Sequence, residues 1–76
     1  MNSKIVYYAE LERLLRETLG VVGGNFPEED RAEVEMFIDF AEYGLAYESV
    51  ISLLGERKIS YPESLTIAGK MMGLCS

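Results

Sequence analysis

The chain contains no histidine and a single cysteine, Cys75. Without histidine, the commonest general base and metal ligand is missing. The serines and the cysteine have no base beside them in a recognisable nucleophile motif. A lone cysteine excludes an internal disulfide. Cys75 lies near the C-terminus without the electropositive surroundings that activate a thiol, so it reads as a chain-end residue with no role. No run approaches ~18 apolar residues, so no segment is expected to span a membrane. No charged stretch followed by an apolar core succeeds Met1, so no secretory signal is expected and a reducing, cytoplasmic compartment is. Bases are scarce: seven Lys and Arg face thirteen Asp and Glu, for a net charge of −6. Phosphate contacts need clustered Lys and Arg, which disfavours nucleic-acid binding. The five tyrosines have no basic groove to make them stacking platforms. No EF-hand pattern surrounds Asp30 or Asp39, and Gly23-Gly24 follow neither dinucleotide nor P-loop spacing. These absences predict a protein that is not an enzyme and holds no cofactor and no metal.

What is present is helical patterning in a chain of 76 residues, read as one domain, 1–76. Area scaling predicts a folded surface of roughly 4,700 Å². A standard interface of about 800 Å² per partner would cover about a sixth of that, leaving little room for a deep substrate pocket. Four helices are predicted, at about 3–19, 27–41, 43–57 and 61–72. In the first, Tyr8, Leu11, Leu15 and Leu19 keep the spacing of one face. Glu12 and Arg16 form an i,i+4 pair outside it, and Gly20 is placed to end the helix in the left-handed conformation. Residues 21–25 read as a connecting turn. Pro27 suits the first turn of the second helix, where Glu28, Glu29 and Asp30 favour the dipole. Val34, Phe37, Ile38 and Ala41 form its predicted buried face. The third helix buries Tyr47, Val50, Ile51 and Leu54, widened by Leu45, Ala46 and Leu53, with Arg57 and Lys58 at its C-terminus. Ser60 and Glu63 read as a capping box for the fourth, which runs through Leu65, Ala68, Met71 and Met72 to Gly73. Sustained period-two alternation is missing. The fold class is therefore all-α, a compact four-helix antiparallel bundle with short loops.

The acidic excess is concentrated. Between Glu28 and Glu56 nine acids face one base, Arg31, so that segment carries −8 while the remainder carries +2. A single-sign field of this kind serves steering and partner choice, and its natural partner is a basic surface. At 100° per residue, Glu28, Glu35, Asp39 and Glu42 gather away from the predicted core of the second helix. Met36 and Phe40 lie beyond them, near Glu29 and Glu33. Two readings follow. The pair is an exposed hot spot within an acidic rim, or it packs on the first or fourth helix.

The segment Asp39-Phe40-Ala41-Glu42-Tyr43-Gly44-Leu45-Ala46-Tyr47-Glu48, then Ile59-Ser60 and Met72-Gly73-Leu74, resembles the MafI-type family of small bacterial immunity proteins. The similarity covers roughly residues 26–74. It departs at Ala41, where glycine is common in that family, and at Tyr47, where leucine is expected. The resemblance implies a cytoplasmic antitoxin of a polymorphic toxin or contact-dependent growth inhibition system. It implies a 1:1 partner, the C-terminal nuclease domain of a cognate toxin of the EndoU-like RNase kind. Tyr43, Gly44 and Ala46 resemble helix-packing positions of helical hairpins generally, whereas packing gives no reason for carboxylates at Glu42 and Glu48. The predicted toxin-binding set is Glu28, Glu35, Met36, Asp39, Phe40, Glu42, Tyr43, Tyr47 and Glu48, with Tyr47 as a partner-specific aromatic. The rival reading is a helical adaptor or regulatory protein binding a basic partner with no toxin involved, although no ~34-residue repeat is visible. A monomer or a weak homodimer through Met36 and Phe40 is compatible with either.

Overall fold

The computed structural model describes residues 3–74, with side chains from Lys4 onward; Cys75 lies outside the described residues. Four helices make up the fold: α1 (Ser3–Val22), α2 (Glu28–Asp39), α3 (Tyr43–Arg57) and α4 (Glu63–Met71), with a 3-10 turn at Gly23–Asn25 between the first two. The all-α four-helix bundle expected from the patterning is present. Its surface of 4866 Å² is close to that of a compact chain of this length.

Helix α1 packs chiefly on α4, and α2 on α3. Two hydrogen bonds set α1 antiparallel to α4: Tyr7 donates to the Met71 carbonyl at 3.0 Å, and Thr18 meets Ser64 at 2.7 Å. Thr18 uses its single proton on the Leu14 carbonyl at 2.8 Å, so Ser64 is the donor to Thr18. Both hydroxyls are buried, and this bond between them satisfies a polar pair inside an apolar interface.

The core comprises Leu11, Leu14, Leu15 and Val22 of α1, Phe26, Val34 and Ile38, then Tyr43, Ala46, Tyr47, Val50 and Leu54 of α3, and Leu65 and Ala68 of α4. Several sequence expectations change here. The buried face of α1 is rotated from the one predicted: Leu14, Thr18 and Val22 are inside, while Tyr8 is half exposed. Gly20 does not terminate α1. It stands in the helix, exposed, with nothing within 4 Å of where a Cβ would be. Continuing through it costs about 1 kcal/mol of helix propensity. Burial of Val22 returns roughly 1.5–3 kcal/mol, so the helix extends. Pro27 is the N-cap of α2 rather than its first helical residue, and its carbonyl accepts the Arg31 amide at 3.0 Å.

The capping box at Ser60 does not form. Helix α4 starts at Glu63 with Pro62 as N-cap and no side-chain capping bond. The residue before a proline is disfavoured in the α region, so Tyr61 cannot open the helix. Three helices end in the same way. The amides of Glu42, Ile59 and Leu74 reach back to the carbonyls of Phe37, Leu54 and Gly69 at 2.8, 3.0 and 2.8 Å. The residues that make these turns are Ala41, Lys58 and Gly73, with φ of 59°, 54° and 72°. Glycine does this without strain, as expected at Gly73; alanine and lysine pay a left-handed penalty of about 1–2 kcal/mol. Ala41 is therefore exposed at a turn, not part of the buried face of α2.

Candidate interaction surface

Helix α1 neutralises itself. Arg13 pairs with Glu10 at 2.6 Å and with Glu17 at 3.3 Å, and Arg16 pairs with Glu12 at 2.9 Å. The Arg13 guanidinium holds the Glu10 carboxyl below its ordinary value by hydrogen bonding. Arg16 also reaches across to α2, donating to Asp39 at 2.8 Å. Among the described residues, Asp39 is the one carboxylate of α2 and α3 in an ion pair; Glu28, Glu29, Asp30, Glu33, Glu35, Glu48 and Glu56 form none, nor does Glu42 between the two helices. The acidic excess of the sequence is thus an unneutralised surface in the fold.

Helical stepping at 100° per residue divides α2 into three sides. Glu28, Glu35 and Asp39 lie toward α1, as the bond to Arg16 confirms for Asp39. Met36 and Phe40 face outward with Glu29 and Glu33. Asp30, Glu33 and Phe37 face α3. Phe40 is 74% exposed and Met36 46% exposed, so this pair does not pack on the first or fourth helix. Across from Asp30, Glu33 and Phe37, α3 presents Leu45, Glu48, Ser49, Ser52 and Leu53. Together these residues line a surface groove of about 310 Å³. Its lining combines three apolar side chains with three carboxylates, two serines and no base. Phe37 and Leu53 are half-buried there, and Leu45 is 46% exposed.

The nine predicted interface residues therefore do not converge on one face. Tyr43 and Tyr47 are corrections: each is only 8% exposed and belongs to the core. Tyr43 stacks near Tyr8, ring centroids 6.0 Å apart. Burial pushes its hydroxyl above the ordinary value, with Glu12 adding to the shift. Tyr47 lies against Gly69, where an added Cβ would stand 2.6 Å from the phenol oxygen. The absence of a side chain at Gly69 is what lets that ring in. Glu42 acquires a structural reason, because it is the N-cap of α3 and a negative charge suits a helix start. Glu48, in the groove lining, remains without one.

The groove was missed in the sequence because Phe37, Leu45 and Leu53 read as core positions. Their i, i+3, i+4 spacing was visible, but not that α2 and α3 leave them in a shared concavity. Among the described residues, no group of three potential metal ligands converges, and no helix is long and apolar enough to cross a membrane. The chain matches no protein-family model, no curated protein and no solved structure.

Proposed function

We propose that this protein is a cytoplasmic immunity protein of the MafI type, which neutralises a nuclease-type toxin domain, of the EndoU-like RNase kind, by docking its α2–α3 surface on it. One observation carries the reading: seven carboxylates of α2 and α3, with Glu42 between the two helices, form no ion pair among the described residues, and α2 ends at a Phe40 that is 74% exposed. Unpaired carboxylates on one side of a small domain raise its self-repulsion, and a cationic partner relieves it. An exposed phenylalanine and methionine inside that field have the anatomy of a hot spot with a charged rim. An RNase binds a polyanion, so its substrate cleft presents bases, and an acidic protein seated there excludes RNA. The protein itself performs no chemistry in this reading; occlusion is the whole effect.

The test is association with a basic EndoU-type RNase domain, followed by stopped flow and by RNA cleavage. One equivalent should abolish cleavage, and the association rate should drop by about tenfold or more as salt rises from low to several hundred millimolar. A rate indifferent to salt, or a complex made through Arg13 and Arg16 with the α2–α3 carboxylates left in water, would overturn the proposal.

A further inference from the structure

The groove between α2 and α3 combines features that a merely solvated acidic face does not need. Its apolar lining is Phe37, Leu45 and Leu53, its charged lining is Asp30, Glu33 and Glu48, and Ser49 and Ser52 complete it. We infer that this groove is a socket for an arginine side chain presented by a basic protein partner. The inference rests on the acidic-face reading and names the side chain that the face selects.

Size is the first argument. About 310 Å³ is at the bottom of the range for small-molecule pockets, so the space suits one or two side chains. Charge is the second. The lining holds three carboxylates and no cation, and none of the three forms an ion pair among the described residues. Side-chain chemistry is the third: an aromatic ring and two aliphatic side chains beside several carboxylates suit a planar guanidinium, which stacks on a ring and forks to more than one acceptor. An ammonium is a more strongly hydrated point charge, and it uses the apolar lining less. Continuity is the fourth. Glu33 of the lining, Met36 and Phe40 follow one another at i+3 and i+4 steps along the same ridge of α2. A partner segment can therefore seat its arginine in the groove and rest apolar residues on Phe40. A second apolar concavity, formed by Ile5, Val6 and Ala9 of α1, is edged by Glu10 and Arg13. Those charges cancel in their own 2.6 Å pair, and nothing there selects an occupant.

The experiment titrates the full chain with a short helical peptide carrying leucine and arginine on one face, alongside versions with lysine or citrulline in place of arginine. Two charge-matched double variants separate the groove from the general field: Glu33→Gln with Glu48→Gln, and Glu28→Gln with Glu35→Gln. The groove variant should weaken arginine-peptide binding about tenfold, the size of losing charged hydrogen bonds, and the control about twofold or less. Lysine should bind several-fold more weakly than arginine, and citrulline least. The amides of Phe37, Leu45, Ser49 and Leu53 should shift on binding. Equal losses from the two variants, equal binding of the citrulline peptide, no binding, or shifts confined to other residues would each overturn the socket. The wider reading fails by a different sign, a salt-indifferent association with the RNase domain.

Discussion

Helix α1 and the α2–α3 pair spend their charges differently. In α1 each arginine sits within one turn of a carboxylate, and the ion pairs close locally. The buried face of α1 packs on every other helix, including a hydroxyl pair joined at 2.7 Å to α4. On α2 and α3 the acids outnumber the bases, Arg31 and Arg57, so heavily that local pairing could not neutralise them, and one cross-helix bond, Arg16 to Asp39, is the ion pair found there among the described residues. The same two helices leave Phe40, Met36 and Leu45 exposed. Both regions leave apolar side chains in water, Ile5, Val6 and Val21 on α1 and Met36, Phe40 and Leu45 on the other side, but only on α2–α3 do they stand among carboxylates that the fold leaves unpaired.

The comparison breaks most visibly through side-chain deletion. Leu15→Ala in α1 should cost about 2–5 kcal/mol, a drop in Tm of roughly 10–20 °C or more for a domain of this size. Phe40→Ala should stay within about 0.5 kcal/mol while removing partner binding. A large Tm loss at Phe40 would mean that the residue is part of the core. Next come two glycines, whose response to the same change should have opposite signs. Gly69→Ala drives a methyl into the Tyr47 ring and should destabilise by about 1–3 kcal/mol. Gly20→Ala meets open space in a helix and should stabilise by about 0.5–1 kcal/mol; thermal melts of both variants check the pair.

Ala41→Gly relieves a left-handed alanine between α2 and α3 and should stabilise by about 1 kcal/mol in urea titrations. A double-mutant cycle on Arg16 and Asp39, both largely exposed, should return a coupling of about 0.2–1 kcal/mol that fades with salt. The smallest effect concerns pH. Tyr43 is neutral in the fold with its pKa raised, chiefly by burial, so the folded state keeps its proton longer than the unfolded chain. That contribution is complete below the ordinary tyrosine value of about 10 and is lost as pH rises through the raised one. Tyr43→Phe should therefore flatten the alkaline limb of a stability profile.

Much of the fold was legible. The helical repeats of Leu11 and Leu15, of Val50 and Leu54, and of Leu65 and Ala68 face inward as their spacing required. Gly73 ends α4 in the left-handed conformation. The acidic first turn of α2 is where the dipole favours it. The misses share a cause. Whether Gly20 or Ala41 makes a turn depends on what the next buried residue gains, and local preference is only about 1 kcal/mol. Tyr47 was read both in the buried stripe of α3 and as an interface aromatic; its burial bears out the first, and only the bare backbone of Gly69 on a helix remote in sequence shows where its ring goes. Of the candidate site, Glu48 was legible as surface, whereas Met36 and Phe40 were open between exposure and packing until the fold placed them in water. The groove walls Asp30, Phe37, Leu45 and Leu53 were not, because they are contributed by two helices.

The amino-acid order alone determined the helical class and the concentration of negative charge between residues 28 and 56, since periodicity and composition are properties of a single strand of residues. It also determined the local pairing in α1, because i,i+3 and i,i+4 distances follow from helix geometry. Tertiary structure decided which side of α1 is inside, that Gly69 must stay bare, and that Phe40 meets water. It also decided that the rims of α2 and α3 stand close enough to make one groove. A helical repeat specifies a direction from its own axis, and what lies in that direction is known only once another helix has packed there.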